Sequence, residues 1–99
     1  MALISDFKEI VETFNLKIKD FCDNEASLPD IYSPDYLIKY ERGRLFCASY
    51  LEFDGEYICC WGKEEYTPDA AKDKIGILLK QYKNIKTEMR IKKLNKDFR

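Results

Sequence analysis

The chain has 99 residues, is 45% hydrophobic and 35% charged, and contains four cysteines, four glycines, three prolines and no histidine. That length supports one domain over residues 1–99 and excludes a second, while the apolar fraction excludes a disordered polymer. The formal net charge of -1 hides a division: residues 1–35 hold eight acids against three lysines, whereas residues 72–99 hold ten bases against three acids. With a pI near 5.5, this excludes a uniformly basic nucleic-acid binder and leaves a basic end suited to an acidic partner.

The first predicted element is a helix from about residue 5 to about residue 22. Leu3, Phe7, Val11, Phe14, Ile18 and Phe21 recur in steps of three and four, Ser5 is the candidate N-cap, and Asp6 and Glu9 suit the positive end of the helix dipole. The same two acids interrupt the region where a secretion signal needs a continuous apolar run, and no run reaches the length of a membrane span. An intracellular, cytoplasmic location away from membranes is therefore expected. Residues 24–35 follow as an internal loop, because Pro29 and Pro34 stop a helix there.

Residues 36–61 read as three antiparallel strands. Arg42-Gly43 and Asp54-Gly55 are the two turns, the second being the stronger hairpin signal because Gly readily takes the positive φ that a tight turn requires. Alternation then puts Tyr36, Ile38, Tyr40, Leu45, Cys47, Ser49, Leu51, Phe53, Ile58 and Cys60 on a core face. The opposite face holds Leu37, Lys39, Glu41, Arg44, Phe46, Ala48, Tyr50, Glu52, Tyr57, Cys59 and Trp61, with Ala48 opposite Trp61 and Glu52 opposite Tyr57.

Residues 62–66 read as a loop, and Thr67-Pro68-Asp69 opens a second helix with an N-cap threonine and a proline at its first position. Ala71, Ile75, Leu78, Tyr82, Ile85 and Met89 form its packing stripe, and Gly76 within it is expected to mark a close approach to a strand or to the first helix. Residues 85–92 fit either a helical extension or an extra C-terminal strand, and 95–99 are expected to fray. The expected fold class is α+β, a three-stranded antiparallel sheet with two helices on one face, in the order α-β-β-β-α.

Chemistry is sparse. Without histidine the usual general base and the Ser-His and Cys-His pairs are lacking, and no phosphate-binding glycine motif or H-E-x-x-H occurs, so no catalytic residue is assigned and the chain is read as a non-enzyme. Cys22, Cys47, Cys59 and Cys60 form no C-x-x-C pair and are read as reduced, small apolar side chains, with no metal and no cofactor.

Two candidate surfaces remain. Phe46, Tyr50, Tyr57 and Trp61 on one sheet face are either covered by the long loop or tail, or anchor a partner. Lys72, Lys83, Lys86, Arg90 and Lys93 on the second helix are either solvated or contact nucleic acid or an acidic protein, including the acidic first helix of a second copy in a homodimer. The favoured expectation is a protein-protein interaction module. RNA or DNA backbone binding through those five bases is the alternative, and a virus- or mobile-element-encoded inhibitor of a host nucleic-acid enzyme is a third.

The middle of the chain resembles the double-stranded RNA-binding domain. Pro34-x-Tyr36 followed by Gly43 matches its first strand, Asp54-Gly55 its second hairpin turn, and Gly62 before Thr67-x-x-x-Ala71-Lys72 the start of its second helix. The small Alu-binding proteins of the signal recognition particle share the same element order. The resemblance implies the α-β-β-β-α fold. The loop that carries the family's minor-groove contact is cut to Arg42-Gly43-Arg44, and Pro68 and Asp69 stand where two phosphate-contacting lysines belong, leaving Lys72. Such departures imply weak or absent duplex binding and, as in family members that have lost these residues, protein association.

Overall fold

A computed structural model of the chain describes residues 2–97, with side chains for residues 2–91. The elements run α1 (Ile4–Thr13), β1 (Lys17–Ile18), β2 (Glu25–Ser27), β3 (Ile38–Glu41), β4 (Arg44–Cys47), β5 (Tyr50–Phe53), β6 (Ile58–Trp61), β7 (Glu64–Tyr66) and α2 (Pro68–Asp97). Five strands form a sheet in the order β1-β2-β3-β4-β7, and β5 and β6 form a second sheet; every pairing of strands is antiparallel. The α+β class with two helices stands, and the three-stranded sheet is corrected to seven strands in two sheets.

The helix expected over 5–22 ends at Thr13. Asn15 takes the left-handed conformation at φ 55°, its N–H bonds the Glu12 carbonyl at 3.2 Å, and Leu16 N–H reaches back to the Val11 carbonyl at 2.9 Å. Val11 and Leu16 are both buried, so this C-terminal cap is sealed by an apolar contact. Ile18 and Phe21, expected on the helical face, go instead to β1 and to an exposed turn where Phe21 is 99% accessible. At the other end Leu3 rather than Ser5 is the N-cap, and Asp6 Oδ2 accepts a 2.8 Å bond from the Leu3 N–H.

Residues 24–35, expected as loop, supply β2, which pairs β3 through Ala26 and Ile38. Arg42 and Gly43 then close the β3–β4 hairpin as a two-residue turn with φ 50° and 77°, the positive values that the twist of adjoining strands selects. After Cys47 the ladder breaks. From Cys47↔Glu64 to Tyr50↔Trp61 the chain moves three residues on in one strand and three back in the other, so register is kept across the break. Strands β4 with β5, and β6 with β7, are thus two halves of one long hairpin that bends at Ala48-Ser49 and Gly62-Lys63.

That bend accounts for two further corrections. Residues 64–66, read as loop, are the strand β7, and Leu37 and Ala48, assigned to the outer face, are buried. Ala48 N–H bonds the Leu37 carbonyl at 3.0 Å, and both residues are buried, a local interruption of the alternation. Gly62, at φ 79°, lies so close to Ser49 that an added Cβ would meet the Ser49 Oγ and stand 2.6 Å from its Cβ.

The single core gathers Phe7 and Ile10 of α1, Ile38, Leu45 and Cys47 of the large sheet, Leu51 and Ile58 of the small one, and Ala71, Ile75 and Leu78 of α2. Each fully buried Leu, Ile or Phe contributes about 1.5–3 kcal/mol of transfer free energy. The α2 stripe packs as its spacing predicts, with Tyr82, Ile85 and Met89 partly buried at its outer end. Residues 85–92 lie within the helix, which rules out the extra strand. The approach expected at Gly76 is absent: no atom lies within 4 Å of an added Cβ, and nothing in the structure explains this glycine. Positions 98 and 99 of the tail, and the side chain of Lys93, lie outside the described residues.

Candidate protein-interaction site

Strands β5 and β6 have two unlike faces. Leu51, Phe53, Ile58 and Cys60 turn inward to the core and α2, whereas Tyr50, Glu52 and Trp61 are exposed on the other side. Tyr50 stands directly opposite Trp61, and the two are 47% and 50% exposed. Directly opposed side chains on antiparallel strands lie about 5 Å apart at Cβ, close enough to form one surface.

The sequence-based register is corrected here by two residues, because Phe53 pairs with Ile58 across a four-residue turn rather than a two-residue one. Asp54 builds that turn: its Oδ1 accepts the N–H groups of Glu56 and Tyr57 at 2.8 and 2.7 Å, and its own N–H bonds the Tyr57 carbonyl. A shift of two is even, so every side chain keeps its face while its partner changes. Tyr57 sits in the turn and meets Tyr32, a residue the strand pattern missed, with ring centroids 6.0 Å apart and tilted 55°.

Phe46 does not join this group. It lies beyond the bend on β4, between Lys39 and Glu65, half-buried with the Lys63 ammonium 4.7 Å from its ring centroid. The cover anticipated for the aromatic face takes an edge instead. Residues 30–35 run along the open side of β6, where Asp30 O accepts from Ile58 N, Ile58 O from Tyr32 N at 2.8 Å, and Asp35 Oδ2 from Cys60 N at 2.9 Å. The loop thereby satisfies the strand edge and places Tyr32 beside Tyr57.

From the inner side α2 holds the bend. Lys74 Nζ donates to the Ser49 carbonyl at 2.6 Å, and Gln81 Oε1 accepts from the Leu51 N–H at 2.9 Å. These two side chains supply the partners for backbone groups that the interrupted ladder leaves over. Tyr82 OH, donating to the Pro29 carbonyl at 3.0 Å, ties the covering loop to the same helix.

The outer face is acidic. Residues 48–62 contain Glu52, Asp54 and Glu56 and no base, and residues 28–37 contain Asp30 and Asp35 and no base. The Asp54 carboxyl is held below its ordinary value by the Tyr57 and Glu56 N–H groups it accepts. At the middle of the face the Cys59 thiol is held above its ordinary value, by loss of water and by the nearby carboxylates of Asp54, Asp35 and Glu52. Lys19, which donates to Ser33 O beside the covering loop, is paired with Glu25 at 3.1 Å.

The candidate contact bases of α2 fare differently from one another. Lys72 pairs with Glu9 of α1 at 3.6 Å, and Lys86 pairs with Asp30, whose hydrogen bond raises the Lys86 pKa. Lys83 and Arg90 are exposed and have no ion pair among the described residues. Part of the basic end therefore meets the acidic end within the molecule.

Cys47 and Cys60 are pushed up to about 12 by burial, and all four cysteines are thiols. Among the described residues no cluster of His, Cys, Asp and Glu has the makings of a metal site, and no helix is long and apolar enough to cross a membrane. The chain matches no protein-family model, no curated protein and no solved structure.

Proposed function

We propose that the chain acts by binding another protein through the outer face of β5–β6, with Tyr50 and Trp61 as the anchor and Tyr57 and Tyr32 beside them. The observation that carries this reading is the opposed, half-exposed Tyr50–Trp61 pair on a hairpin braced from behind by α2. Large aromatic side chains on a rigid support lose little conformational freedom on binding, which is why they dominate interface energetics. The reading calls on no catalytic group and no cofactor. The resemblance noted in the sequence supports it too, since the positions that would contact duplex RNA are the ones replaced.

The test is affinity capture with the full chain against the Tyr50→Ala/Trp61→Ala variant, with folding of both checked by circular dichroism. Loss of the captured proteins in a folded variant is expected, and unchanged capture would overturn the reading. Backbone binding of RNA or DNA remains the second reading, supported by the exposed Lys83 and Arg90. It requires affinity that falls steeply with salt in a filter-binding titration. The same two bases are where an acidic protein surface would make contact.

A further inference from the structure

Resting on that reading, we infer that the partner presents a positively charged polypeptide segment to this face, with arginine or lysine seated against Tyr50, Trp61, Tyr57 and Tyr32. The aromatic group stands among Glu52, Asp54, Glu56 and Asp35, and residues 48–62 supply no base to offset them. Two of these carboxylates are committed to the backbone, Asp54 to its turn and Asp35 to Cys60 N–H. Glu52 and Glu56 are exposed, Glu52 on the same face as the Tyr50–Trp61 pair and Glu56 in the turn next to Tyr57.

Ring faces carry negative potential, so aromatic groups beside carboxylates attract guanidinium and ammonium groups doubly and repel phosphate. Of the bases around this surface, Lys19 is paired with Glu25 and Lys86 with Asp30, and Lys63, two residues beyond Trp61, stands over the Phe46 ring instead. Among the described residues the rest of the basic flank of α2 lies away from the face, because α2 packs against its reverse through Leu51 and Gln81. Among the described residues no lysine or arginine stands over any of these four rings, which leaves them to a cation from another molecule.

Trp61 is the sole tryptophan of the chain, so its emission reports occupancy of the face directly. The full chain is titrated with an oligo-arginine peptide and with length-matched oligo-glutamate and glycine-serine peptides at low salt. A saturable change with oligo-arginine alone is expected, weakened about tenfold or more in Glu52→Lys/Glu56→Lys. The charge-matched variant Glu12→Lys/Glu88→Lys, altered at exposed positions elsewhere, should bind as the parent does.

Absence of a saturable change, equal weakening in both reversal variants, or saturation by oligo-glutamate or a single-stranded oligonucleotide would each overturn the inference. So would self-association lost in Tyr50→Ala/Trp61→Ala but insensitive to oligo-arginine, which would make a second copy the occupant. Captured proteins that are lost with Tyr50→Ala/Trp61→Ala but kept by Glu52→Lys/Glu56→Lys overturn the cationic partner and leave the docking face standing. Capture kept by both variants overturns both.

Discussion

Gln81→Leu removes the acceptor of the Leu51 N–H while preserving helix propensity and most of the side-chain volume. Leu51 is 7% exposed, and its N–H has the Gln81 oxygen at 2.9 Å, so the variant leaves a poorly hydrated donor without a partner. Such a loss costs about 1–3 kcal/mol. In a domain of this size about 1 kcal/mol moves Tm by roughly 4–8 °C, so a fall of roughly 5–20 °C is expected. Lys74→Met removes the companion bond to Ser49 O and should cost about 1 kcal/mol, because Ser49 is only half-buried. Positions 74 and 81 lie about 10 Å apart along the helix, and the double variant should be additive within about 0.5 kcal/mol. Urea unfolding followed in parallel by Trp61 emission and far-ultraviolet circular dichroism measures all three. If Gln81→Leu unfolds within about 0.5 kcal/mol of the parent, the proposed bracing of the bend by α2 is wrong.

The glycines of α2 and of the bend should respond in opposite directions. Gly76→Ala, with open space at its Cβ, should stabilise the chain by up to about 1 kcal/mol. Gly62→Ala meets Ser49 at a positive φ and should destabilise by more than about 1 kcal/mol, both read from denaturant midpoints. Asp54 has a depressed folded pKa, so its contribution is present above the unfolded carboxylate value and is lost as pH falls through the folded one. Asp54→Asn should accordingly flatten the loss of stability below about pH 4, measured as urea midpoints across that range. With burial holding Cys47 and Cys60 at about 12, a thiol reagent at neutral pH should label both slowly in the folded chain and quickly in urea; fast labelling of folded Cys47 would contradict its burial.

Which parts of this architecture were legible in the sequence follows from the range of the interactions that set them. The α2 stripe is local and long, so its spacing identifies Ala71, Ile75 and Leu78 as core, whereas residues 85–92, whose apolar positions also alternate, fit helix and strand alike and only the structure shows helix there. The Arg42-Gly43 turn is local too. Strands β1 and β2 are two and three residues long and exist only because they pair with each other and with β3, which no periodicity can reveal. The cap at Asn15 goes unread because the apolar spacing beyond it mimics a longer helix.

The bend has no signature of its own in FCASYLEF, and it is Ala48 bonding Leu37 across the sheet that interrupts the alternation there. Tyr50 and Trp61 keep the exposed face that parity assigns them, because parity survives an even error in register, whereas Tyr57 lies in the turn outside the strand pairing. Tyr32 was invisible to parity because it comes from a loop that joins β6 through Ile31 and Ile58. Phe46 was misgrouped because parity counts straight through the bend.

The unbroken register of the long hairpin also tells a protein engineer where the chain can be cut and lengthened. Between Phe53 and Ile58 the turn is exposed, and the Cβ position at Gly55 is open, so extra residues beside it lengthen only the tip. One extra residue at Ala48-Ser49 without a match at Gly62-Lys63 would put β5–β6 and β7 out of step and turn inward what now faces out. A reporter sequence spliced beside Gly55 would ride next to Tyr57 and reveal the approach of a binding partner without touching the core.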